Sequence, residues 1–128
     1  MRLKLWLAVA LSAVSAAAVH AGSIESQLMK LDPEERAHQA CIIKGVDTIR
    51  KDRKLPGTDR VKTSIGGRAA YTGTQVSSKY GAVRAKSHWY ALKFTCNVTP
   101  DQMKALTFTY EVGAEIPEAK WEDLGLWR

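Results

Sequence analysis

Histidine, cysteine and proline are scarce in this chain, and no apolar run is long enough to cross a bilayer. Its 128 residues include 3 His, 2 Cys and 4 Pro. A protein metal site usually draws on three or four well-placed ligands. No His-Glu-x-x-His, Cys-x-x-Cys or acidic calcium loop occurs, so neither a metal nor another cofactor is expected. Nucleophile motifs are missing too: there is no Gly-x-Ser-x-Gly elbow and no Ser-x-x-Lys. Ser64-Ile65-Gly66-Gly67-Arg68 is glycine-rich but lacks the spacing and the Lys-Ser/Thr ending of a phosphate loop, and reads as a hairpin turn. Glu34/Glu35 and Glu122/Asp123 are sequence neighbours, which suits a helix cap and a solvated turn better than a catalytic carboxylate pair. Together these absences point away from an enzyme.

The longest apolar run stands at the N-terminus. Arg2 and Lys4 precede an uncharged stretch from Leu5 to Val19. Its 15 residues fall short of the roughly 20 that a helix needs to span a ~30 Å hydrocarbon core. Val19-His20-Ala21, followed by Gly22, has the form of a signal-peptidase site. A basic start, an apolar centre and a small-residue end make a secretory signal peptide over residues 1–21. The expected mature chain is one exported domain, 22–128, in the periplasm or secreted, with no transmembrane segment after cleavage.

That domain carries 17 basic and 13 acidic residues, a net +4 placed unevenly. Between Lys44 and Lys93 stand 12 basic residues against Asp47, Asp52 and Asp59. One region should therefore present a positive face to anionic partners. Cys41 and Cys96 allow a single intramolecular pairing, and an oxidising compartment favours it. A metal pair or a redox pair is the competing reading, but the usual close spacing is absent. Closing a loop of about 55 residues stabilises a fold by roughly 4 kcal/mol in the chain-entropy view.

Local pattern then divides the domain. Ile24, Leu28 and Leu31 recur at helical spacing in a polar lead. Asp32-Pro33-Glu34-Glu35 opens a helix: Asp32 caps, Pro33 suits the first position, and the acids complement the helix dipole. It should run to about Arg50 or Lys54, with Ile42, Val46 and Ile49 on one stripe, and stop at Pro56-Gly57. His38, four residues after Glu34, should form a surface pair with it. Gly45 costs helix stability and marks close packing if it marks anything. Short strands are expected over Val61–Ile65, Ala69–Thr72, Thr74–Val76 and Ala82–Ala85. Tyr90, Leu92, Phe94, Cys96 and Val98 alternate with wetter neighbours. After Thr99-Pro100-Asp101, Leu106, Phe108, Tyr110 and Val112 do the same. Period-two alternation in both arms makes a long antiparallel hairpin, about 89–112, with one buried face. Cys96 lies on that face, where the helix carrying Cys41 can dock. Pro117 begins a short C-terminal helix bearing Trp121 and Leu124. The class is α+β: an N-terminal helix on a small antiparallel sheet, stapled by a disulfide.

One constellation suggests a ligand. Arg84, Lys86 and His88 alternate ahead of Trp89, and Tyr80 follows Lys79 close upstream. Cations beside aromatic faces hold anionic lipids, charged sugars or single-stranded nucleic acid. An export signal removes nucleic acid from that set. The plainer alternative is a sheet edge guarded by Lys and Arg against unwanted pairing, with Trp89 simply covering the outer face of the sheet.

The chain also resembles the alphaproteobacterial family known as domain of unknown function 930 (DUF930). Leu31-Asp32-Pro33-Glu34-Glu35-Arg36, with Gln39 and Cys41, is similar to its leading helix. Gly81-Ala82-Val83-Arg84 and then Trp89-Tyr90-x-Leu92-x-Phe94-x-Cys96 resemble its central strands. Phe108, Tyr110, Gly113, Ile116-Pro117 and Trp121 resemble its ending. The likeness covers roughly 28–124, both cysteines included, and implies no known reaction. The expectation is a non-catalytic module for an anionic lipid or glycan of the cell envelope. The alternative is a module for a single envelope protein, such as a hydrolase inhibitor.

Overall fold

The computed structural model describes residues 24–128. The expected signal peptide, residues 1–21, lies outside them. Residues 24–29 form a short helical lead that buries Leu28. Helix α1 follows over Pro33–Asp52. Its start is the one the sequence announces: Asp32 Oδ1 accepts the Glu35 amide at 3.0 Å, satisfying one of the free donors of the first turn. Arg53 ends it in the left-handed region, φ 57°.

Five strands form one antiparallel sheet: β1 Thr58–Lys62, β2 Ala70–Tyr71, β3 Gln75–Ala85, β4 His88–Val98 and β5 Ala105–Glu115. The order is β1-β3-β4-β5, with β2 also on β3. The sheet class, the docked helix, the long hairpin and the short strand expected over Ala69–Thr72 (β2) agree with the sequence reading; the other strands before residue 86 do not. The expected strands over Thr74–Val76 and Ala82–Ala85 are parts of one continuous β3. Gly81 does not break it, because it stays paired with Leu92. A Cβ there would meet the Leu92 and Lys62 carbonyl oxygens at 2.9 and 3.1 Å, so the glycine marks a close approach of the neighbouring strands. Val61–Ile65 is displaced to Thr58–Lys62. The Ser64–Arg68 loop is no hairpin turn: β1 and β2 do not pair with each other but lie along separate stretches of β3.

Alternation decides what lies between helix and sheet. Val76, Val83, Leu92, Phe94, Cys96, Val98 and Phe108 form one core with Ala37, Ala40, Cys41 and Ile49 of α1. Small residues on the helix let it approach closely. A methyl group at Gly45 would come within 2.8 Å of the Phe108 ring, so this glycine answers an aromatic ring. The expected stripe is partly right: Ile49 is buried, whereas Ile42 and Val46 pack at the margin. Cys41 and Cys96, both without accessible surface, join as a disulfide with Cα atoms 6.0 Å apart.

The outer face of the sheet is covered over only one half. Past β5 the chain turns back as a 3-10 turn, Glu118–Lys120, and helix α2, Trp121–Leu124. Ile116, Trp121 and Leu126 close over Ala82 and Trp89. Trp89 Nε1 donates to the Trp127 carbonyl at 2.7 Å, and Trp121 Nε1 to that of Ile116 at 2.9 Å. These bonds make burial of two indole N–H groups affordable. The other half of that face, around Ser77, Thr95 and Thr109, has no such cover and lines an open depression.

Candidate functional site

The five residues singled out in the sequence do not converge. Trp89 has no accessible surface and lies beneath the C-terminal segment, so it offers no stacking face. Arg84 sits beside it, 5.9 Å from the ring centroid and equally far from that of Trp127. Its guanidinium donates to both carboxylate oxygens of Asp59, at 2.9 and 2.6 Å. This bond holds Asp59 below the usual carboxylate range and raises Arg84 further. A cation so engaged has little left for a ligand. Arg84 also pairs in register with Arg60 on β1 and Trp89 on β4. The guarded edge of the plainer alternative fails as well, because β3 is interior to the sheet, whereas its placing of Trp89 against the outer sheet face holds.

Lys86 occupies a turn. Ala85 pairs with His88, and Lys86 and Ser87 between them have φ of 49° and 64°, the geometry of a two-residue type I′ loop. His88 Nδ1 lies 2.6 Å from Glu115 Oε1. His38 departs from expectation too: its Nδ1 is 2.8 Å from Thr63 Oγ1, tying α1 to the loop after β1.

Of the five, Tyr80 alone borders the broad depression on the outer face of the sheet, and the sheet is built to present it. Ser78 and Gly81 are both buried toward the helix, although three positions apart. A bulge between them makes this possible, turning Lys79 and Tyr80 outward in succession. Ser78 Oγ accepts the Tyr80 amide at 3.0 Å, and the Ile65 amide donates to the Tyr80 carbonyl at 2.8 Å. One side of the Tyr80 ring rests on the Gly67 backbone so closely that any side chain there would overlap it. The ring remains 53% exposed.

Around this ring lies a broad open depression of about 680 Å³. Arg68, Lys79 and Lys93 border it, all exposed. None of the three makes an ion pair or a side-chain hydrogen bond among the described residues. Its floor is hydroxyl-rich. Ser77 pairs in register with Thr95, and Thr95 with Thr109, so the three form a row across β3, β4 and β5. Beside it, Gln75 Nε2 donates to Asn97 Oδ1 at 3.1 Å, and Asn97 Nδ2 to Thr107 Oγ1 at 2.8 Å. Glu111 stands opposite Lys93 in register and brings the one carboxylate to the border.

The wet faces of β4 and β5 were legible as alternation. What sequence reasoning missed was the part of Arg68 and Lys93. A bulge carries no reliable signal in a run such as Ser77-Ser78-Lys79-Tyr80, and Arg68 arrives through a loop whose path depends on β3. The cations, hydroxyls and exposed aromatic ring are chemically complementary to anions and polar rings. Among the described residues, no group of three or more His, Cys, Asp and Glu stands together as a metal site, and no helix is long and apolar enough to cross a membrane.

The family model described as Domain of Unknown Function (DUF930) matches residues 28–126. No curated protein and no solved structure matches the chain.

Proposed function

Since the chain belongs to the DUF930 family, whose description assigns no reaction, we propose from its own chemistry that it is a non-catalytic binding module for an anionic component of the cell envelope. It works in the periplasm, or after secretion, once its signal peptide is removed. The observation that carries this reading is Tyr80, set on Gly67 beside Arg68, Lys79 and Lys93, three cations with no acid partner within ion-pair distance among the described residues. Isolated surface charges are weakly held by water-screened partners, but several on one face attract a polyanion together.

The test is retention of the oxidised domain on native envelope extract, eluted in steps of salt. Retention should weaken as ionic strength shortens the screening length toward ~8–10 Å. Lys79→Glu with Lys93→Glu should abolish it. Retention of that double variant at low salt would sink the reading.

A second reading has its own observation. Ile24, Ile43 and Leu106 are 40%, 52% and 56% exposed and line one groove with Met103. Such a surface suits a single protein partner, for example a hydrolase that the domain inhibits. A one-to-one complex that survives high salt, and weakens on Ile43→Glu, would favour it.

A further inference from the structure

We propose that the ligand of the Tyr80 face is an acidic glycan, a chain of sugar rings carrying anionic groups at intervals. This rests on the anion-binding reading above and narrows it. Tyr80 is an aromatic platform with one side already occupied by the Gly67 backbone, so its free side can accept one ring with little loss of freedom. Next to it the Ser77–Thr95–Thr109 row runs across three strands. At about 4.8 Å between strands this row extends on the order of 10 Å, room for two sugar rings in sequence. The Ser77 and Thr95 hydroxyls can donate and accept, whereas the Thr109 hydroxyl donates to the Thr95 carbonyl at 3.3 Å and keeps its lone pairs for accepting. The neighbouring Gln75–Asn97–Thr107 chain retains unused amide protons and lone pairs. That dual capacity matches sugar hydroxyls.

The cations favour spaced anions over a single compact one. Lys79 belongs to the β3 bulge, Arg68 to the loop ahead of β2, and Lys93 to the middle of β4. The depression is open, with no enclosed point on which the three close. Glu111, opposite Lys93, adds polarity: anionic groups belong toward Arg68 and Lys79, and a neutral ring toward Thr109.

A lipid surface fits this face less well. Stable peripheral binding to a bilayer adds apolar side chains that sink into the headgroup boundary to the electrostatic attraction, because each Lys or Arg alone contributes only modestly. Among the described residues the large exposed apolar ones are Ile24, Met29, Ile43, Tyr80, Leu106 and Trp127, and of these only Tyr80 borders the depression.

The experiment titrates the oxidised domain, by calorimetry and amide NMR, with a hexauronate, its monomer, a neutral hexasaccharide of the same linkage, and phosphatidylglycerol vesicles. The expected result is hexauronate binding that exceeds the monomer and the neutral chain, with shifts at Tyr80, Thr95 and Thr109. Tyr80→Ala should weaken it roughly tenfold, the upper range of one aromatic contact. Tyr80 is exposed, so this variant should keep its melting temperature, and Lys93→Gln provides a second, conservative probe. Vesicle binding that depends on Lys79 and Lys93, with no hexauronate binding, overturns the glycan while leaving the anion site standing. Indifference of every ligand to Lys79→Gln with Lys93→Gln overturns both.

Discussion

Arg84 and Asp59 meet through two hydrogen bonds, 2.9 and 2.6 Å long, at the rim of a cluster formed by Trp89 and Trp127. The side chain of Arg84 is only 11% exposed and that of Asp59 42%. The pair joins β1 to β3 where the C-terminal segment closes over the sheet, and this explains why Arg84 is structural.

Asp59→Asn should therefore destabilise the fold by about 1–2 kcal/mol, because a mostly buried guanidinium loses its charged acceptor while solvent screens part of the loss. Asp59 has its carboxyl held below its ordinary 3.8, first by the Arg84 hydrogen bond. A depressed carboxylate contributes stability above its ordinary range, lost as pH falls through its lower native value. Thermal melts from pH 6 downward should show an acid loss in the native protein that is smaller in Asp59→Asn.

The Lys86-Ser87 turn is an unfavourable choice for its geometry, with two non-glycine residues at positive φ. Replacing the pair by Asn-Gly should stabilise the domain by about 1 kcal/mol. An unchanged or lower denaturant midpoint would show that the Lys86 chain, packed over Gly57, matters more than the backbone.

Tyr110 donates its hydroxyl to Asp52 at 2.6 Å, bridging β5 to the end of α1. Burial, then the Asp52 bond and charge, pushes its ionisation up from 10.0 to about 12. A raised value means that its stabilisation is complete below pH 10 and is lost as pH rises toward 12. Ultraviolet titration should show a late tyrosinate step near pH 12 that Tyr110→Phe removes and Asp52→Asn moves downward.

Removing the disulfide with Cys41→Ala and Cys96→Ala should cost roughly 2–5 kcal/mol. The bond closes a separation of 55 residues between two fully buried positions. Equal melting temperatures with and without reductant would contradict this.

Features that depend on neighbours in sequence were legible: the Asp32–Pro33 helix start, the alternation of β4 and β5, and the facing of Cys96 toward the helix. Each follows from a local rule of capping or of periodicity, which holds whatever the rest of the chain does. The hairpin at Lys86-Ser87 was not legible, because no Gly or Asn marks it, and its positive φ values are imposed by the pairing of Ala85 with His88. Trp89 and Tyr80 make the contrast sharpest. Both are aromatic residues beside cations, alike in sequence. The sequence alone determined that the two arms of the long hairpin would alternate and that the helix would be stapled to the face bearing Cys96. Only the tertiary structure decided which aromatic meets solvent. The C-terminal segment returns over Trp89 and accepts its N–H, whereas a bulge and Gly67 hold Tyr80 in the open, and both outcomes depend on residues far apart along the chain.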